Sequence, residues 1–236
     1  MPGLAQYASD WLGVELTQSQ LEAFQLYSAL LREWNEKFNL TAITEPEAVE
    51  IRHFADSLSC LKVIKPRQGL KLIDVGTGAG FPGLPIKIAC PEVEVTLLEA
   101  TGKKVAFLDQ VISELGLDGL RTVNARAEEA GQMADHREQY DWAVARAVAG
   151  MPVLAEYLLP FVKVSGRCLA QKGDSAENEA REASHAIRVL GGRLADITYI
   201  ELPSVYEPHF LVEIEKIAPT PAQYPRRPGV PNKKPL

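Results

Sequence analysis

The sequence predicts an α/β fold in which a doubly wound, mostly parallel sheet follows an N-terminal helical cap. From residue 70 onward, short apolar strands alternate with helices of about 10–15 residues, which is typical of a parallel sheet. Two amphipathic helices precede the first strand. No helix separates the last two strands, so that pair is expected to be antiparallel. The 236 residues, 46% hydrophobic and 24% charged, suit one globular domain and exclude a disordered or fibrous chain.

The helical cap is predicted from two amphipathic stretches. Residues 17–38 begin with a capping box formed by Thr17 and Gln20, and apolar residues then recur every three or four positions. A second helix is expected over residues 46–61. The predicted organisation is therefore a cap at 1–66, a sheet domain at 67–218 and a tail at 219–236.

The sheet domain is predicted to contain seven strands with helices between them. The strands are expected near residues 70–75, 93–98, 120–124, 141–145, 167–171, 196–202 and 210–216. The helices are expected near residues 81–90, 102–115, 152–161 and 176–190. Gly116 fits a C-terminal cap for the second of these helices.

Charge is distributed unevenly along the chain. The net charge is −6, but residues 219–236 carry +4 with six prolines and no acidic residue, so residues 1–218 carry −10. Proline at this density disfavours a helix or a central strand and favours an extended backbone. The tail is either a solvated chain end or an extended basic arm that follows a phosphate backbone. The basic side chains of the arm are Arg226, Arg227, Lys233 and Lys234.

Cysteine usage and hydropathy exclude several classes of protein. Cys60, Cys90 and Cys168 are scattered, with no CxxC motif or Cys/His cluster, so neither a disulfide scaffold nor a structural zinc site is expected. No apolar run approaches the roughly 20 residues that span a bilayer, and no secretory signal is evident. We therefore expect a cytoplasmic protein without a membrane partner. We also expect a monomer.

A glycine-rich loop after the first strand marks the candidate ligand site. Gly76, Gly78 and Gly80 lie where ligands bind, beyond the carboxyl end of a strand. Their spacing departs from G-x-G-x-x-G because Phe81 occupies the position of the third glycine. No GxxxxGK motif followed by Ser or Thr occurs either. The loop therefore disfavours both a nicotinamide dinucleotide and a nucleoside triphosphate.

Acidic side chains at two strand ends indicate which cofactor the glycine loop binds. Asp74 would repel a pyrophosphate but attract a ligand that carries an ammonium and a sulfonium group. Glu99 ends the second strand, where a carboxylate can accept hydrogen bonds from both ribose hydroxyls. The structural alternatives are a helix N-cap for Asp74 and a solvated strand end for Glu99. Together the acids predict S-adenosylmethionine, and with it a class I, Rossmann-like methyltransferase fold.

Two further strand ends complete the predicted pocket. Ala127 and Glu128 follow the third strand, where the edge of an adenine would lie in such a fold. Arg146 follows the fourth strand, beside the substrate, and burying it unpaired would be unfavourable, so it is expected to meet an anion. That anion could be the methionine carboxylate, a substrate phosphate or a neighbouring acid. The structural alternative is an ion pair with Asp141 or Glu99.

Seven segments together resemble one known family. They are FNLTAI (38–43), RHFADSL (52–58), DVGTGAGFPGLPIKI (74–88), KKVAFL (103–108), RAEE (126–129), ARAVA (145–149) and YPRRPGVPNKKPL (224–236). In this order, and over nearly the whole chain, they are similar to the ribosomal RNA small-subunit methyltransferase G family, also called glucose-inhibited division protein B.

The resemblance implies methyl transfer from S-adenosylmethionine to N7 of a guanine in the 16S rRNA loop near the decoding site. It implies S-adenosylhomocysteine as the product, no metal, and 16S rRNA or a small-subunit precursor as the partner. Loss of that modification in bacteria is associated with low-level streptomycin resistance. By position, the resemblance assigns the cofactor contacts to Gly76, Phe81, Ala127, Glu128 and Arg146, with Glu99, Ala100 and Thr101 alongside.

Other polar residues are candidate RNA contacts. His53 either touches RNA at the mouth of the pocket or anchors the cap to the sheet. Lys172 and Arg126 lie near strand ends and could hold phosphates. Lys103 and Lys104 open a helix, where positive charge opposes the helix dipole, which favours a phosphate contact for one of them.

The expected chemistry needs positioning rather than proton removal. N7 of guanine has an in-plane lone pair, so in-line displacement requires no general base, and Arg146 is the residue expected to act at the reacting group. The sequence lacks both the Pro-Pro element after the fourth strand of many amine methyltransferases and the Pro-Cys nucleophile for carbon methylation. Two alternatives stay open: a methyltransferase for a small molecule or protein, which the net charge favours, and a non-catalytic RNA or ribosome-assembly binder.

Overall fold

One seven-stranded sheet runs through the molecule in the order β3-β2-β1-β4-β5-β7-β6. The computed structural model describes the backbone of residues 1–236 and every side chain except that of Pro2. The strands are β1 Lys71–Val75, β2 Glu94–Glu99, β3 Leu120–Asn124, β4 Tyr140–Arg146, β5 Val162–Lys172, β6 Gly192–Ile200 and β7 His209–Lys216. Strands β1 to β5 are parallel, whereas β7 is antiparallel to both β5 and β6. This arrangement confirms the predicted doubly wound sheet with an antiparallel closing pair.

The N-terminal cap contains helices and loops but no strand. Its elements are α1 Pro2–Tyr7, a π-helix Ala8–Leu12, α2 Gln18–Phe38, α3 Pro46–Val49, a π-helix Glu50–Ala55, α4 Asp56–Leu58 and a 3-10 helix Ser59–Lys62. Helix α2 begins with the predicted capping box: Thr17 N donates to Gln20 Oε1 at 2.8 Å, and Gln20 N donates to Thr17 Oγ1 at 3.3 Å. The first helix was not predicted, because no capping signal precedes it. It is held by burial of Leu4, Tyr7 and Ala8 instead.

The helices of the sheet domain include the four predicted ones, but the last of these is divided into two, and the short α7 was not predicted. They are α5 Gly83–Ala89, α6 Gly102–Leu115, α7 Ala127–Ala130, α8 Met151–Leu158, α9 Ala176–Glu182 and α10 Ser184–Val189, with a 3-10 helix Leu159–Phe161 after α8. Gly116 caps α6 in the left-handed conformation, with φ of 58°. Strand β5 begins five residues before its predicted start, since its first part is mostly exposed and lacks an apolar pattern.

The cap and one face of the sheet share a hydrophobic core. Phe24, Tyr27 and Phe54 from the cap are fully buried against residues of β1, β2, α5 and α6. Tyr27 also donates a hydrogen bond to the carbonyl of Ala79 in the glycine loop. The opposite face of the sheet packs against α8, α9 and α10. The boundary between residues 66 and 67 stays a prediction, since the shared core joins its two sides.

The basic tail is docked on the sheet domain, so both predicted alternatives, a solvated chain end and an extended arm, were wrong about its conformation. Arg137 donates hydrogen bonds to the tail carbonyls of Thr220 at 2.8 Å and Tyr224 at 2.7 Å. A short helix, α11 Val230–Lys233, forms despite the high proline content. Pro231 lies in its first turn, where the missing N–H group is tolerated. Composition alone did not reveal these partners because they lie far away in sequence.

Among the described residues, no helix combines the length and the apolar character needed to cross a lipid bilayer.

Candidate active site

The candidate site lies at the carboxyl ends of β1 and β4. These strands are neighbours in the sheet, although β2 and β3 lie on the far side of β1 and β5 lies beyond β4. In open α/β sheets such a reversal of strand order forms a crevice in which ligands bind. The glycine loop follows β1 and Arg146 ends β4, so the fold brings these two predicted parts together.

The glycines of the loop serve different purposes. Gly76 and Gly78 have φ of 70° and 62°, a region that favours glycine. A Cβ atom at residue 76 would lie 2.9 Å from Cγ2 of Val148. Glycine at this position therefore lets the loop after β4 pack closely against the glycine loop. At residue 78, the nearest atom to such a Cβ would be the Gly76 carbonyl oxygen at 4.0 Å. Open space for a ligand therefore lies beside Gly78.

Asp74 caps a helix with one carboxylate oxygen and leaves the other without a partner. Its Oδ2 accepts hydrogen bonds from Thr77 Oγ1 at 2.6 Å and from the backbone N–H of Gly83 at 2.7 Å. Because Gly83 begins α5, the helix-cap alternative is present as well. Its Oδ1 is buried and has no hydrogen-bond partner in the described part of the chain. Burial raises the pKa of Asp74 to about 6. An unpaired buried carboxylate oxygen at this edge fits the ammonium group of S-adenosylmethionine.

Glu99, at the end of β2, accepts hydrogen bonds from the loops that follow β1 and β2. Its Oε2 accepts a hydrogen bond from Gly78 N at 3.0 Å, and its Oε1 accepts one from Thr101 N at 2.8 Å. The residue is buried, so it is not a solvated strand end. Each carboxylate oxygen can accept a second hydrogen bond, which leaves capacity for ribose hydroxyls. Ala100 and Thr101 are exposed beside it.

Arg146 joins the sheet to the cap. Its Nη1 donates to Asp56 Oδ2 at 2.8 Å and to the Arg52 carbonyl at 3.0 Å, and its Nη2 donates to His53 Nδ1 at 3.1 Å. The expected anionic partner is thus a neighbouring acid, but it is Asp56 rather than Asp141 or Glu99. A guanidinium has five N–H groups, so Nε–H and one N–H of Nη2 have no partner in the described part of the chain.

His53 is a buried neutral residue that anchors the cap, which was one of its two predicted roles. Arg146 can only donate, so His53 Nδ1 accepts, and the proton lies on Nε2, which donates to Thr41 Oγ1 at 2.8 Å. Burial, assisted by Arg146, lowers the pKa of His53 to about 3. Its ring stacks on Phe81, with centroids 4.4 Å apart, and the Arg146 guanidinium lies 4.8 Å from the same ring. Phe81 is therefore a buried platform beneath both groups.

A cavity of about 410 Å³ opens beside Arg146. Its polar lining includes Arg52, His53, Asp56, Arg146, Gln171 and Lys172. A second cavity of about 400 Å³ lies at the amino-terminal ends of the strands, lined by Lys71 and Glu94 among others. Because ligands of open α/β sheets bind at the carboxyl ends, we assign the substrate to the first cavity.

Glu128 directs its carboxylate to the docked tail. Its Oε1 accepts a hydrogen bond from Gly229 N at 2.8 Å, and Tyr157 OH lies 3.4 Å away. The carboxylate of Glu128 is therefore engaged by the tail, and the predicted cofactor contacts at Ala127 and Glu128, at the start of α7, stay predictions. Arg126 is exposed immediately before α7. Sequence spacing located this strand end but not the tail that covers it.

Two predicted phosphate ligands are engaged inside the protein. Lys172 Nζ donates to Glu179 Oε2 at 2.7 Å and to the Ala149 carbonyl at 2.5 Å, so it holds the loop after β4. Arg226 forms an ion pair with the fully buried Glu156, with Nη2 to Oε2 at 2.6 Å. Neither residue fits the role of a free phosphate ligand.

The remaining predicted cations lie on the surface. Arg227, Lys233 and Lys234 are exposed on the docked tail. Lys103 lies over the ring of Phe38, 5.3 Å from its centroid, and Lys104 is half-buried.

Sequence reasoning missed three residues of the site. Asp56 neutralises Arg146, and Thr41 fixes the tautomer of His53. Gln171, paired with Arg146 in the sheet, donates from Nε2 to the Asp56 carbonyl at 2.7 Å. The segments FNLTAI and RHFADSL, which contain Thr41 and Asp56, could have indicated these residues. Their roles cannot be assigned from sequence, however, because they depend on the contact between the cap and β4.

Fold and site together define a class I S-adenosylmethionine-dependent methyltransferase. Among solved structures, the geranyl diphosphate methyltransferase in complex with SAM is 13% identical, with a TM-score of 0.55 over 69% of this chain and 85% of that one. The 16S rRNA (adenine(1408)-N(1))-methyltransferase from Catenulisporales acidiphilia is 16% identical, with a TM-score of 0.54 over 64% of this chain and 90% of that one. These similarities concern the fold.

The sequence comparisons identify the family within this class. The family model described as rRNA small subunit methyltransferase G matches residues 20–205. Proteins named ribosomal RNA small subunit methyltransferase G from Alkaliphilus metalliredigens and Pelotomaculum thermopropionicum are each 50% identical over 225 residues, which is 95% of this chain and 94% of each relative. The chain belongs to the rRNA small subunit methyltransferase G family, which confirms the predicted resemblance.

Proposed function

We propose that this protein transfers a methyl group from S-adenosylmethionine to N7 of a guanine in small-subunit rRNA. The observation that carries the proposal is the cavity beside Arg146, in which every lining Lys or Arg is paired with an acid. The cavity adjoins the glycine loop, because Arg146 and His53 in its lining lie against Phe81, which follows Gly80. The family name supports rRNA as the substrate, and a cytoplasmic location follows from that substrate.

The cofactor would be held by residues of the first three strand ends. Asp74 Oδ1 offers a buried acceptor for the ammonium group, and Glu99 has unused acceptor capacity for the ribose. Gly78 provides open space beside the backbone, and Ala127, at the start of α7, would contact the adenine. When bound, S-adenosylmethionine supplies an electrophilic methyl group on a sulfonium centre.

The charges around the cavity suit a base that becomes cationic. Methylation at N7 gives the purine a positive charge, so unpaired cations nearby would oppose the reaction. Each lining cation has an acidic partner: Arg146 has Asp56 at 2.8 Å, Lys172 has Glu179 at 2.7 Å, and Arg52 has Glu207 at 3.2 Å. The neutral His53 adds no charge.

Arg146 would orient the base without a proton transfer. Its two unengaged N–H groups can donate to O6 of guanine, the acceptor next to N7. Both nitrogens of His53 are engaged by Arg146 and Thr41, so His53 is not poised as a general base. This matches a displacement that requires only alignment of the attacking lone pair.

A second candidate function is methylation of a small molecule or protein. The cavity volume of about 410 Å³ would admit a small polar molecule, and the chain is acidic overall. The test below separates the two, because it follows where the methyl group goes.

The purified protein should methylate small ribosomal subunits from cells that lack the corresponding gene. Mass mapping of the rRNA should locate one 7-methylguanosine. Arg146→Ala should lose about tenfold or more in kcat/KM, because a charge-assisted hydrogen bond contributes about 1.5–3 kcal/mol. Arg188→Ala, an exposed arginine on α10, serves as the matched control. In a parallel reaction with S-adenosylmethionine labelled in its methyl group, label that appears on protein or small molecules but not on rRNA would refute the proposal.

A further inference from the structure

The loop between β6 and β7, which joins two strands that line the cavity, displays an exposed aromatic ring. Tyr206, in residues 201–208, is 97% exposed, the highest value among the exposed large apolar side chains. The loop is nevertheless anchored on both sides of this ring. Leu202 is buried and Val205 packs against the core, while Glu207 pairs with Arg52 through both carboxylate oxygens at 3.2 Å. Tyr206 is therefore held in solvent on an anchored loop, without packing of its own.

This loop is continuous with the substrate cavity. Ile200 at the end of β6 and His209 and Phe210 at the start of β7 line the cavity, and these residues flank the loop on both sides. Arg52, which anchors the loop through Glu207, lines the same cavity. A nucleotide whose base enters the cavity must have a covalent neighbour outside it, and the loop forms part of the rim over which the neighbour can pass.

The chemistry of the rim favours a base rather than a phosphate. The loop contains two acids, Glu201 and Glu207, and no Lys or Arg, and Glu207 is paired with Arg52, so the loop offers a phosphate no free cation. Aromatic side chains stack on unpaired bases with little dependence on sequence, because every base has a π-face. We infer that Tyr206 is a stacking platform for the unpaired nucleotide adjacent to the target guanine. The inference rests on the proposed function and commits to single-stranded rRNA as the occupant of this rim.

Fluorescence of a labelled RNA tests the stacking directly. A hairpin that presents the target guanine in its loop, with 2-aminopurine at the adjacent position, is titrated with the full-length protein in the presence of S-adenosylhomocysteine. Stacking on Tyr206 should quench the 2-aminopurine. Tyr206→Ala should abolish the quenching that the wild-type protein causes. It should also weaken RNA binding by about fivefold to 150-fold. Tyr206→Phe should restore both, because it keeps the ring.

Controls distinguish stacking from a general loss of function. Met133→Ala, an exposed apolar residue outside the cavity lining, should behave as wild type. The affinity for S-adenosylhomocysteine and kcat at saturating RNA should stay unchanged in Tyr206→Ala. Wild-type quenching and RNA affinity in Tyr206→Ala would overturn the inference. A defect confined to intact subunits, with normal RNA affinity, would assign the ring to a ribosomal protein and overturn it equally. Failure of the wild type to methylate rRNA would instead refute the proposed function.

Discussion

Replacing Arg226 with alanine should leave a buried carboxylate without its cation. Glu156 is fully buried on α8, and Arg226 reaches it with Nε at 2.9 Å and 3.1 Å from the two oxygens and Nη2 at 2.6 Å. The backbone N–H of Arg226 also donates to Oε1 at 2.8 Å. The pair fastens the tail to a helix 70 positions earlier in the chain.

The expected loss of stability follows from this geometry. Removing one partner of a buried ion pair costs about 3–5 kcal/mol. The lower value applies here, because the backbone N–H of residue 226 still reaches Glu156 and the side chain of Arg226 is 24% exposed, which admits water. In a chain of this size each kcal/mol lowers Tm by about 2–4 °C. Arg226→Ala should therefore lose about 3 kcal/mol and melt roughly 6–12 °C lower.

Calorimetry and urea unfolding provide the test. Arg227→Ala, the exposed neighbour, should change the free energy of unfolding by less than about 0.5 kcal/mol. Adding Glu156→Gln to Arg226→Ala should recover part of the loss, because a neutral amide replaces the unpaired charge. A melting temperature for Arg226→Ala within about 2 °C of wild type would refute the buried-charge reasoning.

Three further predictions concern the site and the tail. Since burial and a neighbouring guanidinium lower the pKa of His53 to about 3, the unfolded chain binds a proton near pH 6.5 that the folded chain does not, and stability is lost as pH falls below that value. Urea unfolding should show wild type losing about 2 kcal/mol more than His53→Gln between pH 7 and pH 5, and equal losses would contradict the burial argument. Asp74→Asn should keep the helix cap but bind S-adenosylhomocysteine about 10- to 150-fold more weakly by calorimetry, and unchanged affinity would remove Asp74 from the cofactor site. Replacing Arg227, Lys233 and Lys234 together with alanine should lower the slope of log affinity for rRNA against log salt concentration by about 2, whereas an unchanged slope would exclude the tail from RNA binding.

Deleting residues 219–236 would remove the same cations, but it is a less specific test of the tail. In the structure it would also remove the partners of Glu156 and Glu128, so its effects on RNA binding and on folding could not be separated. Surface substitutions leave the docked backbone in place.

Local sequence signals predicted much of the fold. The capping box at Thr17 set the start of α2, and Gly116 set the end of α6, because each signal acts within one helical turn. Strand β3 has its predicted bounds, and the absence of a helix between β6 and β7 gave their antiparallel pairing.

The parts that sequence did not reveal depend on contacts across long separations. Arg146 was correctly expected to meet an anion, but its partner Asp56 lies 90 residues away in the cap. The tail was interpreted from its proline content, whereas Glu156 and Arg137 hold it through partners chosen by the tertiary fold. The composition of a segment indicates its own conformational preference, but it does not indicate which side chains of other segments will bind it.

The ion pair between α8 and the tail has a genetic consequence. A premature stop codon between positions 217 and 226 would yield a product that retains all seven strands and the candidate cofactor site but carries an unneutralised Glu156 in its interior. Such a product would populate unfolded states more often and be cleared by cellular proteases. Late truncating alleles should therefore abolish the modification through low protein abundance, although every residue of the candidate cofactor site is still encoded.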